Sequence, residues 1–335
     1  MKTYLHRWII EALSYMALGL FGSLIIGLIL ETLGGQTLLL QLDLSFLSEI
    51  GKVAMSVTGA AIGVAIAYGL GAKPLIVFSC VIVGTLGYTT FEGGPVGAYI
   101  ATVVVVDLSK LYAGKTKIDI ILSPLLTLLI GGFIAKAFGP ALNQFMTGLG
   151  NIIIVSTEQQ PLIMGILVSV IFGLALTAPI SSAALALMLD LSGLAAGAAT
   201  IGCAAQMVGF AVTGFKDNGW GGTLSVGIGT SMLQVPNIIK HPMILLSPTV
   251  TSALVAPIMT TLFPMTNNAA GAGMGTSGLI GQIMTINTMG GSLRTWVLIF
   301  VFHIILPAII SFLLYKFCLK KQWIKAGDQL IHIAN

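Results

Sequence analysis

Charge is scarce in this chain. Of its 335 residues only 15 are Lys or Arg and 11 are Asp or Glu, and its polar stretches run to a few tens of residues at most. That leaves no room for an attached phosphoryl-carrier, nucleotide-binding or DNA-binding domain. The net charge of +4 comes from basic residues scattered over connecting positions, so nothing resembles a nucleic-acid patch. Cysteine is also scarce. Cys80, Cys203 and Cys318 lie in or beside apolar runs without pairing or metal-ligand spacing, and read as small buried hydrophobes. HExxH, GxSxG with a partner histidine, GxxxxGK[ST] and CxxC are all missing, so no cofactor, metal or catalytic motif is present.

What is there is apolar: 56% of the residues are hydrophobic and the mean hydropathy is +1.01, too much for one water-soluble core. A membrane helix needs about 20 apolar residues to cross a ~30 Å hydrocarbon core. Such stretches fall at 8–33, 52–71, 74–91, 95–113, 118–138, 161–179, 194–214, 243–263 and 295–318, with less distinct ones near 180–192 and 269–290. Only helices satisfy their own backbone in lipid at this length, and the alternating segments of a transmembrane barrel are missing. The fold class is therefore an all-α polytopic membrane protein with about ten transmembrane helices. MKTYLHR precedes a run too long for a signal-peptide core and lacks a cleavage site, so it reads as the start of the first helix. Lys2 and Arg7 before the first span, and Lys316, Lys320, Lys321 and Lys325 around the end of the last, place both termini in the cytoplasm by the positive-inside rule.

The chain reads as two halves. Residues 1–139 carry plain apolar spans, with small-residue stretches such as GAAIGVAIAYGLG (59–71) that let backbones approach, and suit a scaffold or dimer surface. Residues 140–160 read as an interfacial connector, 161–318 as the substrate-binding half and 319–335 as a cytoplasmic tail. In the second half Gly, Ser, Thr, Asn and Pro interrupt hydrophobic segments at APISSAA (178–184), GFKDNGWGG (214–222), GIGTSMLQVPN (227–237) and GAGMGTSGLIGQ (271–282). Irregular backbone survives at membrane depth only where protein buries it or it lines a cavity, which predicts re-entrant hairpins around a binding site. Ordinary extramembrane loops are the alternative.

Candidate binding residues cluster there. Asp217, Asn218 and Trp220 offer acceptors, donors and an aromatic face to a polyhydroxylated solute, or else a charged turn with an interfacial anchor. Gln206 is a carboxamide in an apolar helix, facing either a cavity or a neighbouring helix. Asn237 and His241 lie in a proline-bracketed loop, and His303 sits mid-span. Asn267, Asn268, Thr276, Ser277, Gln282 and Asn287 are placed to form an opposite polar wall. Glu92 sits at a break between apolar runs, and Glu158 precedes Pro161, where it either caps the next helix or recognises hydroxyls. Asp107 and Lys110, three apart, are expected to pair at a helix end.

The segments 157–222, GTSMLQVPNIIKHP (229–242) and GAGMGTSGLIGQ (271–282) together resemble the membrane-embedded IIC-like family of the bacterial phosphotransferase system, in the branch that includes toxin-regulator-like membrane proteins. The resemblance covers most of the chain. It implies an N-terminal set of helices forming a homodimer and a C-terminal set with two re-entrant hairpins holding a sugar, in a bacterial cytoplasmic membrane. The family places a histidine and a glutamate at the hairpins, whereas residues 159–335 of this chain contain no glutamate. His241 and Asp217 are the available candidates. Any phosphoryl transfer would depend on a separate IIB-type phosphocarrier, leaving this chain at most the membrane component of the system. The expected function is a permease that moves a small polar solute, most readily a carbohydrate, by alternating access. The alternatives are a membrane-embedded ligand sensor without transport and a carrier of a non-sugar metabolite.

Overall fold

The computed structural model describes residues 7–35, 44–178, 180 and 182–331, all of it helices and their connections apart from one isolated bridge between Gly193 and Asn267. Lys2, Pro179, Ser181 and the last four residues of the expected tail lie outside the described residues. The chain divides between Thr147 and Gly148 into two compact units.

In the first unit, a π turn at Arg7–Ala12 leads into α1 (Leu13–Gly34). Helices α2 (Ser45–Ser56) and α3 (Thr58–Gly69) meet at a 56° bend and are together long and apolar enough for a broken span or a re-entrant loop. They are followed by α4 (Pro74–Thr90), α5 (Gly94–Ser109) and α6 (Asp119–Thr157), whose residues from Gly148 onward belong to the second unit. Pro74 opens α4 in the first turn, where its missing N–H costs nothing. The small-residue face of α3 is filled from within the unit by α4: a Cβ on Gly63 would sit 2.1 Å from the Cys80 carbonyl oxygen, and one on Gly84 would sit 2.1 Å from that of Gly59. At one end Asp107 takes a 2.6 Å ion pair from Lys110, a 3.5 Å pair from Arg7 and a hydrogen bond from the Trp8 indole, tying the start of the chain to α5. The Asp107–Lys110 pairing is the one expected from their spacing.

Helix α6 departs from expectation. The fifth span and the connector expected at 140–160 are one 39-residue helix that runs through both Pro124 and Pro140. Its length of ~58 Å is nearly twice a hydrocarbon core, so it cannot stand wholly within one. A proline removes one N–H and crowds the carbonyl four residues back, but the flanking apolar turns keep the helix continuous across both positions.

The second unit is built around α9 (Gly193–Thr213), which is almost wholly buried. Around it stand α7 (Pro161–Thr177), α12 (Pro242–Leu262) and α15 (Leu293–Lys320). The α9 sequence explains its central place, since Gly and Ala dominate it and let three neighbours approach to backbone contact. A Cβ on Gly202 would fall 1.9 Å from the Ser169 carbonyl oxygen on α7. The Ser169 hydroxyl donates to the Ser252 carbonyl on α12 (3.1 Å), and the Ser252 hydroxyl donates to the Gly202 carbonyl (3.2 Å). Three helices are thus tied at one level.

Between these long helices lie short pieces: α8 (Ser182–Met188), α10 (Phe215–Leu224), α11 (Val235–Lys240), α13 (Ala269–Ala272) and α14 (Ile280–Met289). None is long enough to span. Five helices are long and apolar enough to cross a membrane, or six with the bent pair counted, and α4, α5 and α7 are apolar but shorter. By length, then, the described residues support five to six spans where about ten were expected. The faint stretches near 180–192 and 269–290 are broken segments.

Candidate functional site

The breaks in the second unit converge on α9. The Ser182 hydroxyl at the start of α8 donates to the Gly273 carbonyl (2.7 Å), joining the 178–192 segment to the 264–290 segment. The Thr276 hydroxyl donates to the Gly227 carbonyl (2.5 Å) and the Ser277 hydroxyl to the Gly229 carbonyl (2.8 Å), bringing in the π turn Ser225–Gly229 that follows α10. These carbonyls are left over by helix ends, and the hydroxyls satisfy them without water. Gly275 is required here: its φ is +54°, and a Cβ would lie 2.6 Å from the Cys203 backbone of α9.

At the centre sits an uncharged polar cluster. Thr177, the last residue of α7, donates to Gln206 Oε1 (3.3 Å) and shares a 2.9 Å hydrogen bond with Ser231. Gln206 Nε2 in turn donates to the Thr249 hydroxyl on α12 (2.9 Å). Thr177, Gln206 and Ser231 are buried, and Thr177 and Ser231 stand at the ends of two broken segments. Carboxamides and hydroxyls both donate and accept, so the cluster can exchange its internal hydrogen bonds for those of a hydroxyl-bearing molecule.

Two further groups flank this core. Asn267 Nδ2 reaches Thr200 on α9 (2.8 Å), the Gly281 carbonyl (3.0 Å) and Thr285 (3.1 Å). Gln282 Nε2 lies 3.1 Å from His303 Nδ1, both residues being buried, while Gln282 Oε1 is buried without a partner.

The residues singled out in the sequence fall into separate places. Gln206 and Gln282 lie in the buried core. Asp217, Asn218, Asn237 and His241 do come together, but around the chain's own C-terminal segment. Asp217 accepts the amides of Gly327 (3.0 Å) and Gln329 (3.3 Å), and Asn218 accepts that of Ile331 (2.7 Å). Asn237 donates to the Leu330 carbonyl (3.0 Å), and His241 lies 3.6 Å from Asp328. Trp220 is exposed and stacks edge-on against Phe215 at 5.1 Å, with no polar partner from Asp217 or Asn218. Asn287 is exposed, with only a 3.8 Å contact to the Met284 sulfur. Glu158 is exposed in the turn before α7, whose N-cap residue, Gln160, makes no side-chain capping bond. Glu92 belongs to the first unit, at φ +55°, and accepts from Asn143 on α6 (2.6 Å).

Sequence reasoning missed Thr177, Ser231 and Thr249 because hydroxyls in apolar helices usually bond their own preceding turn. A signal existed nonetheless, since Thr177 directly precedes the APISSAA break and Ser231 lies inside GIGTS. Compared with known proteins, the chain matches the family model described as Phosphotransferase system, EIIC, over residues 10–331. No curated protein matches it.

Proposed function

The chain belongs to the phosphotransferase system EIIC family, the membrane sugar-transport components of that system, and from that premise we propose that it binds a small uncharged polyhydroxylated solute, most readily a carbohydrate, at the cluster around Gln206. The observation that carries this reading is the placement of Gln206: a fully buried carboxamide in the central helix, bonded to hydroxyls at the end of α7 and within α12, at the point where the broken segments end. A buried polar network in a membrane bundle is expensive unless every member is partnered, and this one is partnered by groups a polyol can replace one for one. The cluster contains no carboxylate or cation, so a charged solute would enter without compensation and an uncharged one would not.

Movement of the solute between membrane faces follows the alternating-access scheme, in which broken helices carry the site. Phosphoryl transfer to a hydroxyl of the bound solute, where it occurs, depends on a donor from a separate IIB-type protein, as the family suggests. The test is a thermal-shift screen of the detergent-purified protein against sugars, polyols and small metabolites, because a ligand that binds only the folded state stabilises it. A sugar hit that disappears in Gln206→Leu supports the site. A hit retained in Gln206→Leu places the solute elsewhere, and silence across all sugars with the protein folded removes the carbohydrate reading.

A further inference from the structure

At the end of α9 lies a polar contact surface that a segment of the chain already occupies. Beyond α15 the chain turns back: Ile324 is buried against Phe210, Ile244 and Tyr315, and Lys325–Ile331 then crosses a groove formed by the α9–α10 corner and α11. Within the segment, the amides of Asp328 and Leu330 close turns onto the Lys325 and Gly327 carbonyls. The alternate amides, at Gly327, Gln329 and Ile331, all leave the segment for Asp217 and Asn218. Its carbonyls are met in the same way: Asn218 (2.8 Å) and Gln234 (3.0 Å) both donate to that of Gln329, and Asn237 donates to that of Leu330. The Gln329 side chain enters the groove, where its Oε1 accepts from the Thr213 hydroxyl at 2.9 Å.

Two features mark the occupant as removable. Gln329 Nε2 is buried without a partner, a cost the docked state carries and the undocked state does not. Of the segment's two large apolar side chains, Leu330 is exposed and Ile331 packs, half-buried, on the cluster around Ile324, so local opening uncovers the apolar surface of one side chain. The adjacent anchor at Ile324 and the left-handed Gly327, at φ +92°, provide a fixed point and a joint.

We propose that this groove is a peptide-binding site whose resident ligand is the chain's own segment Gly327–Ile331, and that its occupancy braces residues 225–237. The brace is direct. Gln234, which holds the Gln329 carbonyl and also accepts from Asn237 (2.8 Å), ends the short turn Ser231–Gln234 that begins with Ser231, the partner of Thr177. With the segment docked, that wall of the central cluster is fixed; with it gone, Gln234 loses its main-chain partner and the wall is free to move. The consequence for solute rests on the cluster around Gln206 being the solute site, but the peptide site itself does not.

Hydrogen exchange on the full-length protein in detergent, read by mass spectrometry, tests this without any solute. In the unaltered protein the amides of 327, 329 and 331 exchange slowly. In Asp217→Ala, and independently in Gly327→Pro, which removes one of the bonded amides while leaving the groove intact, peptides covering 325–331 and 225–237 both exchange at least about tenfold faster. Adding a synthetic peptide of sequence Lys-Ala-Gly-Asp-Gln-Leu-Ile to the Gly327→Pro protein restores protection over 225–237, and a scrambled peptide does not. Fast exchange of 325–331 in the unaltered protein overturns the resident-ligand assignment. Release of the segment with 225–237 unchanged, or no response to the added peptide, overturns the brace. A protein that passes these tests yet binds no sugar separates the peptide site from the solute reading.

Discussion

Asn267 and Thr200 are joined by a 2.8 Å hydrogen bond from a carboxamide in the irregular stretch after α12 to a hydroxyl on α9. The same carboxamide nitrogen also serves the Gly281 carbonyl and Thr285, while its oxygen accepts the Asn268 amide (2.9 Å), so one buried side chain stitches three stretches of backbone. Asn267→Ala removes four hydrogen bonds that tie these stretches together and is expected to lower the unfolding free energy by about 2–4 kcal/mol. Asn287→Ala removes an exposed amide and is expected to stay within about 0.5 kcal/mol of the parent. Thermal unfolding of the two variants in detergent checks the contrast, and equal losses would mean that Asn267 does not hold the 264–290 segment.

Gly202 and Gly148 predict opposite outcomes for one substitution. A methyl at Gly202 meets the Ser169 backbone of α7, which cannot step aside as a flexible side chain would, so Gly202→Ala is expected to cost about 3 kcal/mol or more. Around Gly148, inside α6, nothing lies within 4 Å of the added carbon, and Gly148→Ala is expected to stabilise by about 0.5–1 kcal/mol through helix propensity. Melting temperatures that move in the same direction would contradict the packing account.

Asp107 is the acceptor that Lys110, Arg7 and Trp8 share, yet the three donors differ in weight. Lys110 is half exposed, and its ion pair contributes little against solvent and salt, so Lys110→Ala is expected to cost under about 0.5 kcal/mol. Asp107→Ala leaves the Trp8 indole and Arg7 without their carboxylate and is expected to cost about 1–3 kcal/mol. Denaturation with and without added salt tests both: the Lys110 contribution should vanish in salt and most of the Asp107 contribution should remain.

Gln282 and His303 form a buried pair in which one atom, Gln282 Oε1, has no partner. Removing either residue alone strands the other, whereas replacing both by apolar groups of similar size removes the orphaned acceptor as well. Gln282→Met and His303→Phe are each expected to destabilise, and the double variant to recover most of the loss, with a coupling of about 1–2 kcal/mol in a double-mutant cycle. Additive losses would show that the two side chains do not act on each other.

The amino-acid sequence by itself determined the solvent and the secondary structure. Long apolar runs with almost no charge have one stable arrangement in lipid, and the positions of α1, α3–α5, α7, α9, α12 and α15 follow from them, as does the first half of α6. It also marked the second half as irregular, because Gly, Pro and hydroxyl residues inside apolar segments weaken a continuous helix whatever surrounds them. Tertiary structure alone decided what those irregular segments hold. The spacing of Asp217, Asn218, Asn237 and His241 suits a polyol and a folded-back peptide equally well, and only the return of the chain beyond Ile324 brings Gly327, Gln329 and Ile331 to them. Thr177, Gln206, Ser231 and Thr249 lie up to 72 residues apart and none is distinctive locally; they become a cluster because the glycines of α9 let α7 and α12 close upon it. A hydrogen bond across such a distance is settled by which backbones can touch, and that is a property of packed helices that no single segment carries.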